Sequence, residues 1–166
     1  MNFLPFENIT YKTKLSEIDV VTRLHESVEP SKTFRFTFFG GGSSMPYEGE
    51  IGNGYFEIKR IIGYRNSFLP QIKGTISRDT HGTTINVKMR LNMFVIVFLV
   101  IWFSGVGLGF VALLSSSLGE KEFDLTALIP LGMLLFAYLL SMGGFKFESH
   151  KSKKDLAEIF DGQIEE

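Results

Sequence analysis

The sequence predicts an α+β fold: a small antiparallel sheet with one N-terminal helix, followed by a two-helix transmembrane hairpin and a short amphipathic tail helix. Three observations carry that expectation. No charged side chain occurs from Leu91 to Gly119 or from Leu125 to Phe145, and each run is long enough to cross a hydrocarbon core of about 30 Å, which takes roughly 20 helical residues. Ahead of these runs apolar residues recur with a period of two, as in strands with one buried face. Behind them Leu156, Ile159, Phe160 and Ile164 recur at helical spacing among Asp and Glu. The chain therefore divides into a domain over 1–90, a hairpin over 91–145 with spans at 93–115 and 125–145, and a tail over 146–166.

Taken in order, Ile9 to Thr13 alternate weakly as a short strand. Leu15, Ile18, Val21, Leu24 and Val28 then change to helical spacing. Ser16 is a suitable N-cap with Asp19 three residues on, and Leu15 and Val20 sit where a hydrophobic staple would hold the first turn, so a helix is expected over 17–28, stopped by Pro30. Phe34, Phe36 and Phe38 predict a strand with one apolar face. Gly40 to Ser44 read as a turn, since a phosphate-cradling loop needs a following helix and a Lys-Ser or Lys-Thr pair that are not there. Tyr47 to Ile51 and Phe56 to Ile58 flank Asn53-Gly54, a two-residue hairpin signal. The segment 61–70 breaks the alternation and reads as a bent connection. Ile72, Gly74 and Ile76 share one face of a strand, Asp79 to Gly82 turn the chain, and Ile85, Val87 and Met89 answer on a last strand that runs into the first span.

Within the spans, Gly105, Gly109, Ala112 and Ser116 fall on one face of the first helix, and Ala137, Ser141 and Gly144 on one face of the second. Small residues at such spacing let helix backbones approach closely, either within the hairpin or between protomers. Trp102, near mid-span, is expected to fill a helix contact. Neither span contains an acidic, basic or His side chain, which argues against a proton relay, an ion-coupled transporter or an embedded catalytic site.

Charge orients the hairpin. Lys88 and Arg90 precede the first span and Lys146, Lys151, Lys153 and Lys154 follow the second, whereas the joining loop Glu120-Lys121-Glu122-Phe123-Asp124 is acidic. The positive-inside rule then puts both termini in the cytoplasm of a multi-pass inner-membrane protein. Residues 1–90 hold twelve Lys and Arg against nine Asp and Glu. That excess is too scattered for nucleic-acid binding and is enough for attraction to anionic headgroups. The chain has no cysteine, which rules out a disulfide framework and a Cys-based metal site. The stretch from Met1 to Glu7 has no basic segment ahead of an apolar core, so the first span is expected to serve as the insertion signal.

Little in the chain points to catalysis, a cofactor or a metal. His25, His81 and His150 share no metal-ligand spacing, and no Gly-x-Ser-x-Gly occurs. Glu48 and Glu50 share a strand face, where charged outer residues are ordinary. The polar group of most interest is Arg65-Asn66-Ser67, between Tyr64 and Phe68, placed either to contact a lipid headgroup or ligand or to tie the connection to neighbouring backbone.

The run Tyr64-Arg65-Asn66-Ser67-Phe68-Leu69-Pro70, with Gly82 to Leu91 feeding a membrane hairpin, resembles a group of uncharacterised small bacterial membrane proteins over about residues 45–105. The resemblance implies a membrane-tethered α+β domain and carries no assigned activity. The plan is also similar to bacterial pleckstrin-homology-like domains tethered to membrane hairpins, although here the domain comes first. The expectation is an integral membrane protein whose cytoplasmic domain is a non-enzymatic binding, sensing or scaffolding module, in contact with the bilayer and with a second copy or a membrane-protein partner. One alternative is an oligomeric membrane-disrupting effector gated by the domain. Another is a membrane-surface enzyme acting on lipid through Glu48, Glu50, Arg65 and His81.

Overall fold

The computed structural model describes residues 4–30, 45–80, 82–117 and 125–165. The elements are β1 (Phe6–Thr13), α1 (Glu17–Ser27), β2 (Val28–Pro30), β3 (Tyr47–Gly52), β4 (Tyr55–Arg60), β5 (Gln71–Asp79), β6 (Gly82–Arg90), α2 (Met93–Ser117), a 3-10 turn (Leu125–Leu128), α3 (Ile129–Ile159) and β7 (Gln163–Glu165). The expected Phe34, Phe36 and Phe38 strand, the turn at 40–44, His81 and the loop 120–124 lie outside the described residues.

Local sequence accounts for the first half directly. Ser16 caps α1 as expected: its Oγ accepts the Asp19 amide at 3.2 Å while the Asp19 carboxylate accepts the Ser16 amide at 3.3 Å, which satisfies donors the helix itself leaves open. The Asn53-Gly54 turn closes β3 onto β4, with Gly54 in the left-handed region at φ 76°. Asp79 pairs with Gly82 at the end of the β5–β6 hairpin.

The sheet is larger than the small antiparallel one the sequence predicts. Among the described residues it has seven strands in the order β2-β3-β4-β5-β6-β1-β7, and β2 runs parallel to β3. The reason is α1. It carries the chain from β1, near one edge, across the sheet to β2 at the other edge, and seats Val20 and Leu24 in the core on the way. The period of two holds as expected: Ile9, Tyr11, Phe56, Ile58, Ile72, Ile76, Ile85, Val87 and Met89 are buried on one face, while Lys12, Glu57, Lys59, Lys73, Asn86, Lys88 and Arg90 are exposed on the other. Phe56 stands opposite Gly74 on β5, and a Cβ at that glycine would fall inside the Phe56 ring. The ring, so admitted, meets Phe160 with centroids 6.0 Å apart.

The largest departure from the sequence expectation is at the C-terminal end. No separate tail helix exists, because α3 runs unbroken from Ile129 to Ile159. At 1.5 Å per residue it is about 46 Å long, some 15 Å more than a hydrocarbon core requires. The excess lies on the sheet: Phe145, Glu148, Ser149, Ser152 and Leu156 are buried there, Phe160 follows in the same core, and Gln163–Glu165 add a strand beside β1. Residues 145–160 therefore share one hydrophobic core with β1–β6 and α1. At the other junction Leu91 and Asn92 alone separate β6 from α2, and Asn92 Oδ1 accepts the Phe94 amide at 2.9 Å as the helix starts.

Two helices, Met93–Ser116 and Ile129–Ile159, are long and apolar enough to cross a membrane, and nothing in the most apolar stretch of the first is buried. Phe94, Phe98, Ile101, Leu108 and Val111 all lie open on its surface.

Gly74→Ala is expected to destabilise the full chain by about 1–3 kcal/mol through overpacking against Phe56, and Phe56→Leu in the same chain to restore part of the loss. Thermal unfolding in mild detergent measures both. A Gly74→Ala protein as stable as the parent would mean that Phe56 does not lie over β5.

Candidate functional site

The polar groups of this molecule converge on the seam where the C-terminal half of α3 crosses the sheet. Burying charge is costly unless it is paired and hydrogen-bonded, and each buried carboxylate on the seam is met from the opposite element. Glu148, with no exposed surface, accepts a hydrogen bond from the Tyr64 hydroxyl and lies 3.9 Å from Arg60 Nη1. The same guanidinium reaches Asp155 through Nη2 at 3.1 Å, and the Tyr47 hydroxyl donates to that carboxylate at 3.4 Å. Glu148 and Asp155 are two helical turns apart and so share a face. One Arg at the end of β4 thereby clamps two turns of α3 at once, which a lysine's single ammonium has no fork to do.

A second tie stands on β1. The Glu7 carboxylate, with 9% of its side chain exposed, takes Lys146 Nζ at 2.6 Å on one oxygen and Lys153 Nζ on the other. Lys146 and Lys153 belong to the basic group that follows the second span, so two of its four lysines are internal partners of the domain. Of the other two, Lys151 lies 4.1 Å from the Phe147 ring centroid and Lys154 is exposed. Burial pushes the Glu7 carboxyl up, but its hydrogen bonds from Lys146, Lys153 and Ser149 outweigh that and leave it below its ordinary value of 4.5. Burial likewise drives the Tyr11 and Tyr47 phenols far up, and the bond to Glu148 raises that of Tyr64. Tyr11 donates to the Lys153 carbonyl at 3.2 Å, a further link from β1 to α3.

The Arg65-Asn66-Ser67 cluster is divided by the fold. Asn66 is a structural tie: its Nδ2 donates to the Gly144 carbonyl at 3.2 Å and its Oδ1 accepts the Phe68 amide at 2.9 Å. Arg65 and Ser67 are exposed. Glu48 is held by Lys59 at 3.0 Å on the outer face, where Glu50 is exposed. Among the described residues no group of three His, Asp or Glu side chains is placed to hold a metal.

The small-residue stripe is divided as well. A Cβ at Gly144 would lie 3.2 Å from Asn66 Oδ1 and from the Phe68 ring, so this glycine admits the 61–70 connection rather than the partner helix. Among the described residues no atom outside their own helix turn lies within 4 Å of a Cβ position at Gly105 or Gly109, and Ala112 is exposed. These three therefore make no close packing inside the hairpin, contrary to one of the two expectations for them. Ala137 is half-buried and Ser141 buried, while the Ser141 and Ser116 hydroxyls donate to Tyr138 and Leu113 carbonyls of their own helices.

Glu7, Arg60, Tyr47, Tyr64, Glu148 and Asp155 carry the seam and were not singled out from the sequence. The available signal was the helical period itself, which continues from Ser141 and Phe145 through Ser149, Ser152 and Leu156 without a break at Lys146.

No protein-family model matches this chain, and no curated protein and no solved structure proved significantly similar to it.

Two predictions arise from the seam. Gly144→Leu is expected to destabilise the protein by about 1–3 kcal/mol and to displace residues 66–68, while Gly109→Leu leaves the stability of a single chain undiminished. Unfolding midpoints in detergent compare them, and equal losses would place Gly109 in a packed contact. The second concerns acid. With its folded-state pKa below the unfolded one, Glu7 contributes fully above about pH 4.5 and loses that contribution as the pH falls through the lower folded value. Glu7→Gln should therefore cost about 1–3 kcal/mol at pH 7, with the gap to the parent closing below pH 4.5. A gap that stays constant from pH 7 to pH 3 would refute the pairing.

Proposed function

We propose that this protein is a two-span integral inner-membrane protein with both termini in the cytoplasm, and that its α+β domain is a non-enzymatic binding and sensing module coupled to the bilayer. The observation that carries this reading is α3. One helix supplies a membrane-length apolar segment in its first half and core packing of the domain in its second. Helices transmit shifts and rotations along their length as rigid bodies, and Glu7, Arg60 and Tyr64 set the rotation of α3 about its axis. A change in the domain that disturbs these ties has a direct path into the hairpin. The charge pattern supports the orientation, since in the sequence Lys88, Arg90 and the lysines after Phe145 flank the two apolar runs while the acidic residues 120–124 stand between them.

The oligomeric effector remains as the second reading because of Gly105 and Gly109. Their open surfaces offer close backbone approach to a second copy and to nothing among the described residues of their own chain.

The absence of cysteine makes both halves of the proposal testable with single introduced thiols. In intact spheroplasts a membrane-impermeant maleimide should label Glu122→Cys at once and Thr75→Cys only after permeabilisation; the opposite pattern would overturn the topology. For coupling, nitroxide labels at Ser115→Cys and Leu131→Cys report the far end of the hairpin. Adding Glu7→Gln is expected to broaden or shift their distance distribution by an amount on the order of 1–2 Å. An unchanged distribution in a chain whose domain has lost stability would make the domain a passive scaffold and remove the sensing role.

A further inference from the structure

We infer that the outer face of β5 and β6, where it meets the first turn of α2, is a binding site for the phosphate of an anionic phospholipid headgroup. The inference rests on the membrane reading above and names its ligand. Lys73, Lys88 and Arg90 line a cavity of about 420 Å³ together with Gln71 and the apolar Met93 and Ile96 of α2. The period of two brings the three cations to the same face, and the register sets Lys73 directly opposite Lys88, with Arg90 opposite Gln71 two pairs further toward the helix. Like charges opposed across a ladder repel. Among the described residues Lys88 has no carboxylate at salt-bridge distance, and Asn8 stands across from it on β1. Lys73 bonds Glu57 at 2.8 Å, but both side chains are half or more exposed, and such a pair exchanges readily for a stronger anion.

Arg90 is held beside this site by an aromatic contact. Its guanidinium lies over the Phe6 ring, 5.1 Å from the centroid. A cation–π contact of this kind uses the guanidinium's charge over the ring without consuming its N–H donors, which can still bond phosphate oxygens. Met93 is exposed on α2 just beyond the basic group and Ile96 is half-buried one turn on, so a lipid whose phosphate sits at Arg90 and Lys88 has an apolar path for its acyl chains along the helix. A soluble phosphate would use the cations and not this path. The 61–70 connection, by contrast, spends Asn66 on the Gly144 carbonyl.

The test uses the full chain in mild detergent, with native mass spectrometry reading the bound dioleoyl-phosphatidylglycerol against dioleoyl-phosphatidylcholine. The parent is expected to prefer the anionic lipid. Lys88→Gln and Arg90→Ala should each lower its occupancy about five-fold, the effect of one juxtamembrane cation, and Arg90→Lys should recover part of that loss. Lys154→Gln, which removes the same charge from an exposed position on α3, should leave occupancy within about two-fold. Equal losses in the Lys154 control, or parental preference in both site variants, would overturn the inference, as would displacement of the lipid by inorganic phosphate, the sign of a soluble-anion site. Alkaline extraction of the same cells separates the two levels: release of the parent into the soluble fraction defeats the membrane reading itself, whereas retention with unaltered lipid binding in the variants defeats this site alone. Each variant's thermal midpoint is measured beside the parent to show that the fold is kept.

Discussion

The sheet has one apolar face, and that face has to be covered from the far end of the chain. The helix α1 covers part of it with Val20 and Leu24; Phe145, Leu156 and Phe160 supply much of the remainder. Three fully buried side chains of that size contribute about 5–9 kcal/mol as an upper estimate, on the scale of the whole stability of a small domain. The residues before the first span therefore depend on residues after the second for their core. Because both spans lie between the two halves of one domain, the hairpin is an excursion from that domain rather than an appendage to it.

This connectivity explains why the seam is rich in charge. A long helix landing on a sheet through apolar contacts alone has many rotations of similar energy. Glu148, Asp155, Lys146 and Lys153 meet Arg60 and Glu7 at definite positions, and a mismatched rotation would strand a buried charge. In this protein the ion pairs select one landing of α3, while the aromatic cluster of Phe56, Tyr11 and Phe160 supplies the adhesion.

The two faces of the sheet then divide the work. The inner face closes the core. The outer face keeps its cations exposed, and near α2 it gathers Lys73, Lys88 and Arg90 beside Met93 and Ile96 at the apolar helix start. The same pleat that buries Ile72, Val87 and Met89 presents Lys73, Lys88 and Arg90 on the other side.

Periodicity and charge runs were enough to identify the α1 cap at Ser16 and Asp19, the Asn53-Gly54 hairpin, the inward faces of β4, β5 and β6, and the two apolar helices, because each of these is written in residues close together in the chain. The parallel β2–β3 pair was not legible, since strand direction at an edge depends on where a crossover helix lands. Nor was the continuity of α3: Lys146 reads locally as the end of a span, and only its partner Glu7, 139 residues away, turns it into a helix-to-sheet tie. Asn66 was visible as a polar residue of interest, yet its role waited on the Gly144 carbonyl, 78 residues distant. A sequence pattern states which face of an element is apolar and how long the element runs. Which other element covers that face, and which buried charges meet across the contact, is decided by packing between distant segments, and so by the tertiary structure alone.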